Sequence, residues 1–187
     1  MRPRLATVAA LALLPFASPA AADGTFFQFD LSETASDAVI SVARGRLTFS
    51  ANWSRYEDGE SAGASVTWSF PVESLGTFKL GPSLGANSED DDFELGLKAG
   101  FERYQPTSFG HLFMLAEINS IDSGWFGTLQ TGFNNGFGVE LSAGGSDTYD
   151  ATTLAVTRRL GAGPVSLRAG YKFVAQEVFV GLSVNTF

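Results

Sequence analysis

Four groups of residues in this sequence could do chemistry. Gly81-Pro82-Ser83-Leu84-Gly85 spells the G-x-S-x-G nucleophile elbow, in which a serine on a strained strand-to-helix turn attacks an acyl carbon. His111 is the only histidine and could act as a general base, with Ser108 three residues away as its nucleophile. Glu89-Asp90-Asp91-Asp92 offers carboxylate oxygens to a hard cation such as Ca²⁺. The fourth group is dispersed: Arg46, Lys79, Lys98, Arg168 and Lys172 together with Glu94, Glu102, Glu117, Glu140 and Glu177. Brought to one face, these charges could either neutralise one another or line a selective pore.

The first three do not hold up against their surroundings. An elbow needs a helix after the serine, and Ser83 sits inside a segment of alternating polar and apolar residues with no helix following. It reads as a small, inward-facing strand residue. Ser108 and His111 fall on opposite strand parity, so the base does not reach the nucleophile. The acidic run lacks the spaced ligands of a dedicated calcium loop and reads as a solvated loop. No catalytic residue, metal site or cofactor is therefore assigned. The dispersed charges are different. They recur in phase with small polar residues, five of each sign, which fits an ion-pair network filling a narrow polar interior.

Period two positions these charges. Leu47, Phe49, Ala51 and Trp53 alternate with Thr48, Ser50, Asn52 and Ser54, and Ala62 to Phe70 repeats the pattern. Phe78 to Gly85, Phe93 to Glu102, Leu112 to Ile118, Trp125 to Asn134, Phe137 to Gly144, Thr153 to Thr157, Val165 to Phe173 and Val178 to Val184 continue it. Ten strands result, most of them near the length that crosses a bilayer when tilted. The class is an all-β, up-and-down antiparallel transmembrane barrel of about ten strands, with eight or twelve as the neighbouring solutions.

The connections sort into two kinds. Glu57 to Glu60, Ser88 to Asp92, Asn119 to Ser123 and Ser146 to Asp150 are mostly acidic. Pro71 to Gly76, Gln105 to Ser108, Asn134-Asn135-Gly136 and Gly161 to Pro164 are Pro/Gly/Asn turns. They alternate along the chain, as the two rims of a meander require. The acidic rim is expected outside the cell and the short turns in the periplasm. Trp53, Trp68, Trp125, Tyr104, Tyr149 and Tyr171 are candidates for interfacial aromatic girdles.

At the N-terminus, Arg2 and Arg4 precede an apolar run from Leu5 to Phe16 and the small residues Ala20-Ala21-Ala22. That order predicts a signal peptide, residues 1–22, cleaved near Ala22. The run is too short for a spanning helix. Removing it leaves ten basic residues against 20 acidic ones, which argues against nucleic acid as a partner. There is no cysteine to staple the fold. A hydrophobic fraction of 44 % with 17 Phe and 21 Gly suits apolar residues spread one in two along strands. Residues 23–45 break the alternation and read as a periplasmic lead-in or partial plug, leaving 46–187 as the barrel domain.

With its leader, its dyad repeat and the terminal Phe187, the chain resembles the small Gram-negative outer-membrane β-barrel, or porin-like, class. The resemblance is one of pattern over residues 46–187 and picks out no subfamily. It implies outer-membrane lipid and lipopolysaccharide as surroundings, and recognition of the last strand, with Phe187 as its insertion signal, by the barrel-assembly machinery. One departure stands out. Val180, Leu182 and Val184 are out of phase with Phe187, whereas the class usually keeps its apolar positions in phase with the final aromatic. The expected function is a structural or narrow-channel barrel with a charge-balanced, mostly filled lumen. Two alternatives come from other classes: an outer-membrane lipid or lipopolysaccharide hydrolase, and a soluble periplasmic ligand-binding β-barrel.

Overall fold

The computed structural model describes residues 23–57, 59–88 and 93–187. The leader and its cleavage site lie outside the described residues, as do Asp58 and the acidic run 89–92. Twelve antiparallel strands close into one barrel, each paired with its sequence neighbours and the first paired with the last. They are β1 Gly24–Ser32, β2 Ser36–Arg44, β3 Leu47–Tyr56, β4 Gly59–Val72, β5 Gly76–Asn87, β6 Phe93–Thr107, β7 Gly110–Asn119, β8 Trp125–Phe133, β9 Phe137–Gly145, β10 Asp150–Arg159, β11 Val165–Lys172 and β12 Glu177–Asn185.

The strand count is thus twelve, and the stretch read as a lead-in or plug is corrected. Residues 24–44 supply two full wall strands, with β1 running from Phe26↔Asn185 to Ser32↔Phe179 against β12. Their alternation is masked in sequence because Phe26 and Val39 are apolar yet point inward, in register with Asn185 and Asn52, while Phe27 and Ile40 point outward. Two extra strands, unlike one, keep both chain ends on the same rim. That rim, the terminal rim, also carries the turns at 45–46, 73–75, 108–109, 134–136 and 160–164. The opposite, acidic rim is where β1 joins β2, β3 ends and β4 begins, β5 ends and β6 begins, β7 joins β8, β9 joins β10 and β11 joins β12.

The phase conflict at the C-terminus has a local cause. The ladder ends at Asn185, so Val178, Val180, Leu182 and Val184 stay outward while the chain leaves the strand. Thr186 N donates to Thr25 O at 3.0 Å, and the Phe187 ring lies over the α-carbon of Gly24, where a side chain would collide with it. The last aromatic therefore caps the β1–β12 seam from outside the ladder.

Burial is inverted relative to a water-soluble domain. Among the described residues only three apolar ones are buried: Ala43, Ala155 and Phe179. The buried polar residues are Asp30, Thr48, Ser65, Thr67, Ser83, Glu140, Arg168 and Ser183. Meanwhile Phe49, Val66, Leu80, Leu129, Leu141, Val156 and Leu167 are exposed on the outer surface. A belt of that extent is far beyond the apolar patches that soluble monomers show.

Candidate lumen site

The interior face is fixed by register. Each inward residue opposes another inward residue on both neighbouring strands, so the pairs Asp30↔Gly181, Glu140↔Ala155 and Gly181↔Arg168 place Asp30, Glu140 and Arg168 on one face. The same counting puts Lys79, Glu94, Lys98, Glu102, Glu117, Lys172 and Glu177 inside. Arg46 departs from the expected set. It lies in the exposed β2–β3 turn, where its carbonyl accepts from Ser69 N at 2.7 Å, so it belongs to the terminal mouth and not to the wall.

The wall has two unlike halves. In the first, Arg168 is the centre, its side chain 2 % exposed. Its Nε donates to Asp30 Oδ1 at 3.0 Å and its Nη2 to Asp30 Oδ2 at 3.3 Å. Its Nη1 and Nη2 donate to Glu140 Oε2 and Oε1 at 3.0 and 3.1 Å. Arg168 stands on β11, Asp30 on β1 and Glu140 on β9, so each carboxylate is two strands away. The guanidinium spans that gap by lying along the wall over small residues. Ala155 is fully buried between Glu140 and Gly170, and at Gly181 a side chain would run into Asp30. Gln130 continues the network by donating to Glu140, Gln28 Nε2 donates to Asp30 Oδ2 at 2.8 Å, and the Phe179 ring centre lies 6.0 Å from the guanidinium carbon. One arginine thus ties together strands from β8 round to β1 using the fork geometry that suits carboxylates.

The second half is wetter. Lys79 Nζ meets Glu102 at 2.8 Å and Lys98 Nζ meets Glu117 at 2.9 Å, with these side chains between 15 and 30 % exposed. Toward the acidic rim Lys172 Nζ meets Asp37 at 2.7 Å, and Thr34 Oγ1 donates to Glu177. Glu94, near the outer end of β6, is exposed. Asp30 and Asp37 were invisible to the sequence reading because they lie on the two strands it did not assign. With them the interior is not balanced. Among the described residues, the cations Lys79, Lys98, Arg168 and Lys172 stand between the rims against Asp30, Asp37, Glu94, Glu102, Glu117, Glu140 and Glu177. Arg46 and Arg159 add positive charge only at the terminal mouth.

The other sequence candidates find plain places. Ser83 is buried in mid-β5 and its hydroxyl donates to Asn119 Oδ1 at 2.9 Å, with a strand continuing past it. His111 stacks on Tyr104 with ring centres 5.3 Å apart and lies over Gly132. Among the described residues no hydrogen bond joins His111 to a serine or a carboxylate. Of the aromatic girdle set, Trp53, Trp125 and Tyr171 face outward near the acidic rim, and Tyr149 is exposed in the β9–β10 connection. Trp68 faces outward nearer the terminal rim. Tyr104 is a correction: its register with Phe113 turns it inward, beside His111. Beside Trp68, the outward aromatics toward the terminal rim are phenylalanines, Phe70 against Phe78 at 6.5 Å and Phe137 under the Arg158 guanidinium at 4.3 Å.

No protein-family model and no curated protein matches this sequence. Among solved structures it is similar to the KdgM porin, with a TM-score of 0.55 at 12 % identity, covering 88 % of this chain and 99 % of that one. The same protein in complex with disordered oligogalacturonate matches equally, again at a TM-score of 0.55 and 12 % identity, with 88 % and 99 % coverage. At that identity the likeness establishes the architecture: this chain has the closed, all-antiparallel twelve-strand barrel fold of a porin.

Proposed function

We propose that the chain is an outer-membrane barrel whose lumen, packed along one wall and hydrated along the other, is a narrow conduit that favours small cations and neutral solutes over anions. The inverted burial supports a lipid setting, because the outer belt of leucine, valine and phenylalanine is costly in water and favourable in hydrocarbon. The observation that carries the conduit is the difference between the two halves of the wall. The Arg168, Asp30 and Glu140 cluster is closed to water, while Lys79, Glu102, Lys98 and Glu117 remain partly accessible. The surplus of carboxylates supports the preference for cations, since Lys79, Lys98, Arg168 and Lys172 each already hold a carboxylate. For that reason the acidic sugar chain bound by the fold relative is not the proposed passenger here. Purified chain in planar bilayers should give small, steady conductance steps. A barrel that inserts and never conducts would reduce the role to a structural one.

In this reading the acidic rim faces the outside of the cell, the short turns face the periplasm, and Phe187 with β12 is the segment the assembly machinery engages. Single cysteines at Glu57 or Ser146 should react with an impermeant thiol reagent on intact cells; reaction only after lysis would mean the barrel sits the other way up. A soluble periplasmic barrel would leave the apolar belt in water, and a hydrolase would need a serine or carboxylate beside His111. The described geometry favours neither.

A further inference from the structure

The β7–β8 connection does not stand up from the acidic rim. It turns into the barrel. Ser120 carries on from β7 by bonding Leu97 twice, its N donating to Leu97 O and its Oγ accepting from Leu97 N, both at 2.9 Å. Asn119 Oδ1 then accepts from Ile121 N at 3.2 Å and folds the chain back. Ile121 thereby comes to lie on the inward faces of β5 and β6, over two glycines. A β-carbon on Gly96 would sit 2.6 Å from Ile121 Cγ1, and one on Gly85 would sit 3.3 Å from both Ile121 Cδ1 and Cγ2. Gly85 and Gly96 are lumen positions by register, in line with Glu94 and Ser83. The pair of glycines is therefore the seat of an isoleucine that comes from another hairpin.

The turn that delivers it is strained and held. Asp122 and Ser123 both adopt left-handed backbone, φ 50° each, without being glycine. Such conformations persist where the surroundings over-determine them, often at functional positions. Here Asp122 O accepts from Asp147 N at 2.9 Å and Ser123 Oγ donates to Asp147 Oδ2 at 3.0 Å, bracing the turn against the β9–β10 connection. Asn119 N donating to Gly124 O at 2.7 Å closes its base. Ile121 joins the inward, exposed Phe126 at the start of β8, and apolar side chains set at this mouth narrow it and resist wetting there, which is how hydrophobic constrictions control permeation.

We propose that Ser120–Gly124 forms the outer constriction of the lumen and that Ile121 is the residue that sets its size limit. This rests on the conduit reading above. The test uses the full chain in planar bilayers with neutral polymers of graded size. Ile121→Ala should raise the unit conductance and admit larger polymers, and Asp147→Ala, which removes the side-chain half of the brace from Ser123 and keeps the backbone bond to Asp122, should make the current noisier with brief wider states. If Ile121→Ala does not fold, Ile121→Cys, alone in this cysteine-free chain, replaces it. A bulky thiol reagent should then block that variant's current and leave Ser146→Cys, on the neighbouring connection, conducting. A wild-type current that neither substitution nor thiol modification at position 121 changes would overturn the constriction and leave the conduit standing. Absence of current from wild type and from Ile121→Ala alike would overturn the conduit, and the constriction with it. Silence from wild type with current from Ile121→Ala would support both.

Discussion

Arg168→Met is expected to lower the unfolding free energy by about 3–5 kcal/mol, because it leaves Asp30 and Glu140 buried with no counter-charge. Both carboxylates are 7 % exposed, and both lose a paired donor at once. Methionine matches the apolar stem of the arginine, so packing against Ala155 and Phe179 changes little and the loss is electrostatic. The triple variant Asp30→Asn, Glu140→Gln, Arg168→Met should recover most of that stability, since a neutral wall has no charge to strand. Lys98→Gln is the internal contrast. Its pair with Glu117 is reached by water, so the cost should be about 1 kcal/mol or less. Urea unfolding in lipid vesicles, followed by the fluorescence of Trp53, Trp68 and Trp125, measures all three. Equal costs for Arg168→Met and Lys98→Gln would mean that the two halves of the wall are not distinct.

Leu129→Arg carries the second large effect. Leu129 is the middle residue of β8, opposite Leu141 and Met114, and points outward. An arginine at mid-bilayer on the lipid face should cost about 2–4 kcal/mol. Leu97, also outward and the next outward position beyond Lys98 toward the acidic rim, should respond in the same direction. Asn52→Arg, at an exposed inward position of β3, should fold close to wild type, because its side chain meets lumen water. A soluble barrel reverses the reasoning: position 129 would already face water and tolerate the charge. Folding yield into vesicles, read as protease protection, separates the cases.

From Leu47 to Val184 the strand faces were legible wherever polar-in and apolar-out alternation survives, that is, wherever one face is small or charged. Lys79, Lys98, Glu102 and Glu117 were placed on one face that way. The period is lost where both faces carry apolar residues. Phe26-Phe27 and Val39-Ile40 are adjacent pairs, one member inward and one outward, and such pairs erase the period. Losing β1 and β2 meant losing Asp30 and Asp37, hence the balanced charge count and the partners of Arg168 and Lys172. Tyr104 was misplaced for a different reason: β6 runs five residues past Glu102, so the lumen parity continues to the tyrosine. Ile121 gave no signal of its own. What marks it is Gly85 and Gly96, and glycines in a glycine-rich barrel do not say which of them a distant side chain fills.

The measurement that tests the lumen most directly is the reversal potential of the reconstituted barrel under a potassium chloride gradient. Among the described residues, seven interior carboxylates against four paired cations predict a potential of the sign set by potassium. A potential of the sign set by chloride would contradict the account, because it would mean that the lysines, and not their carboxylate partners, face the permeating ion.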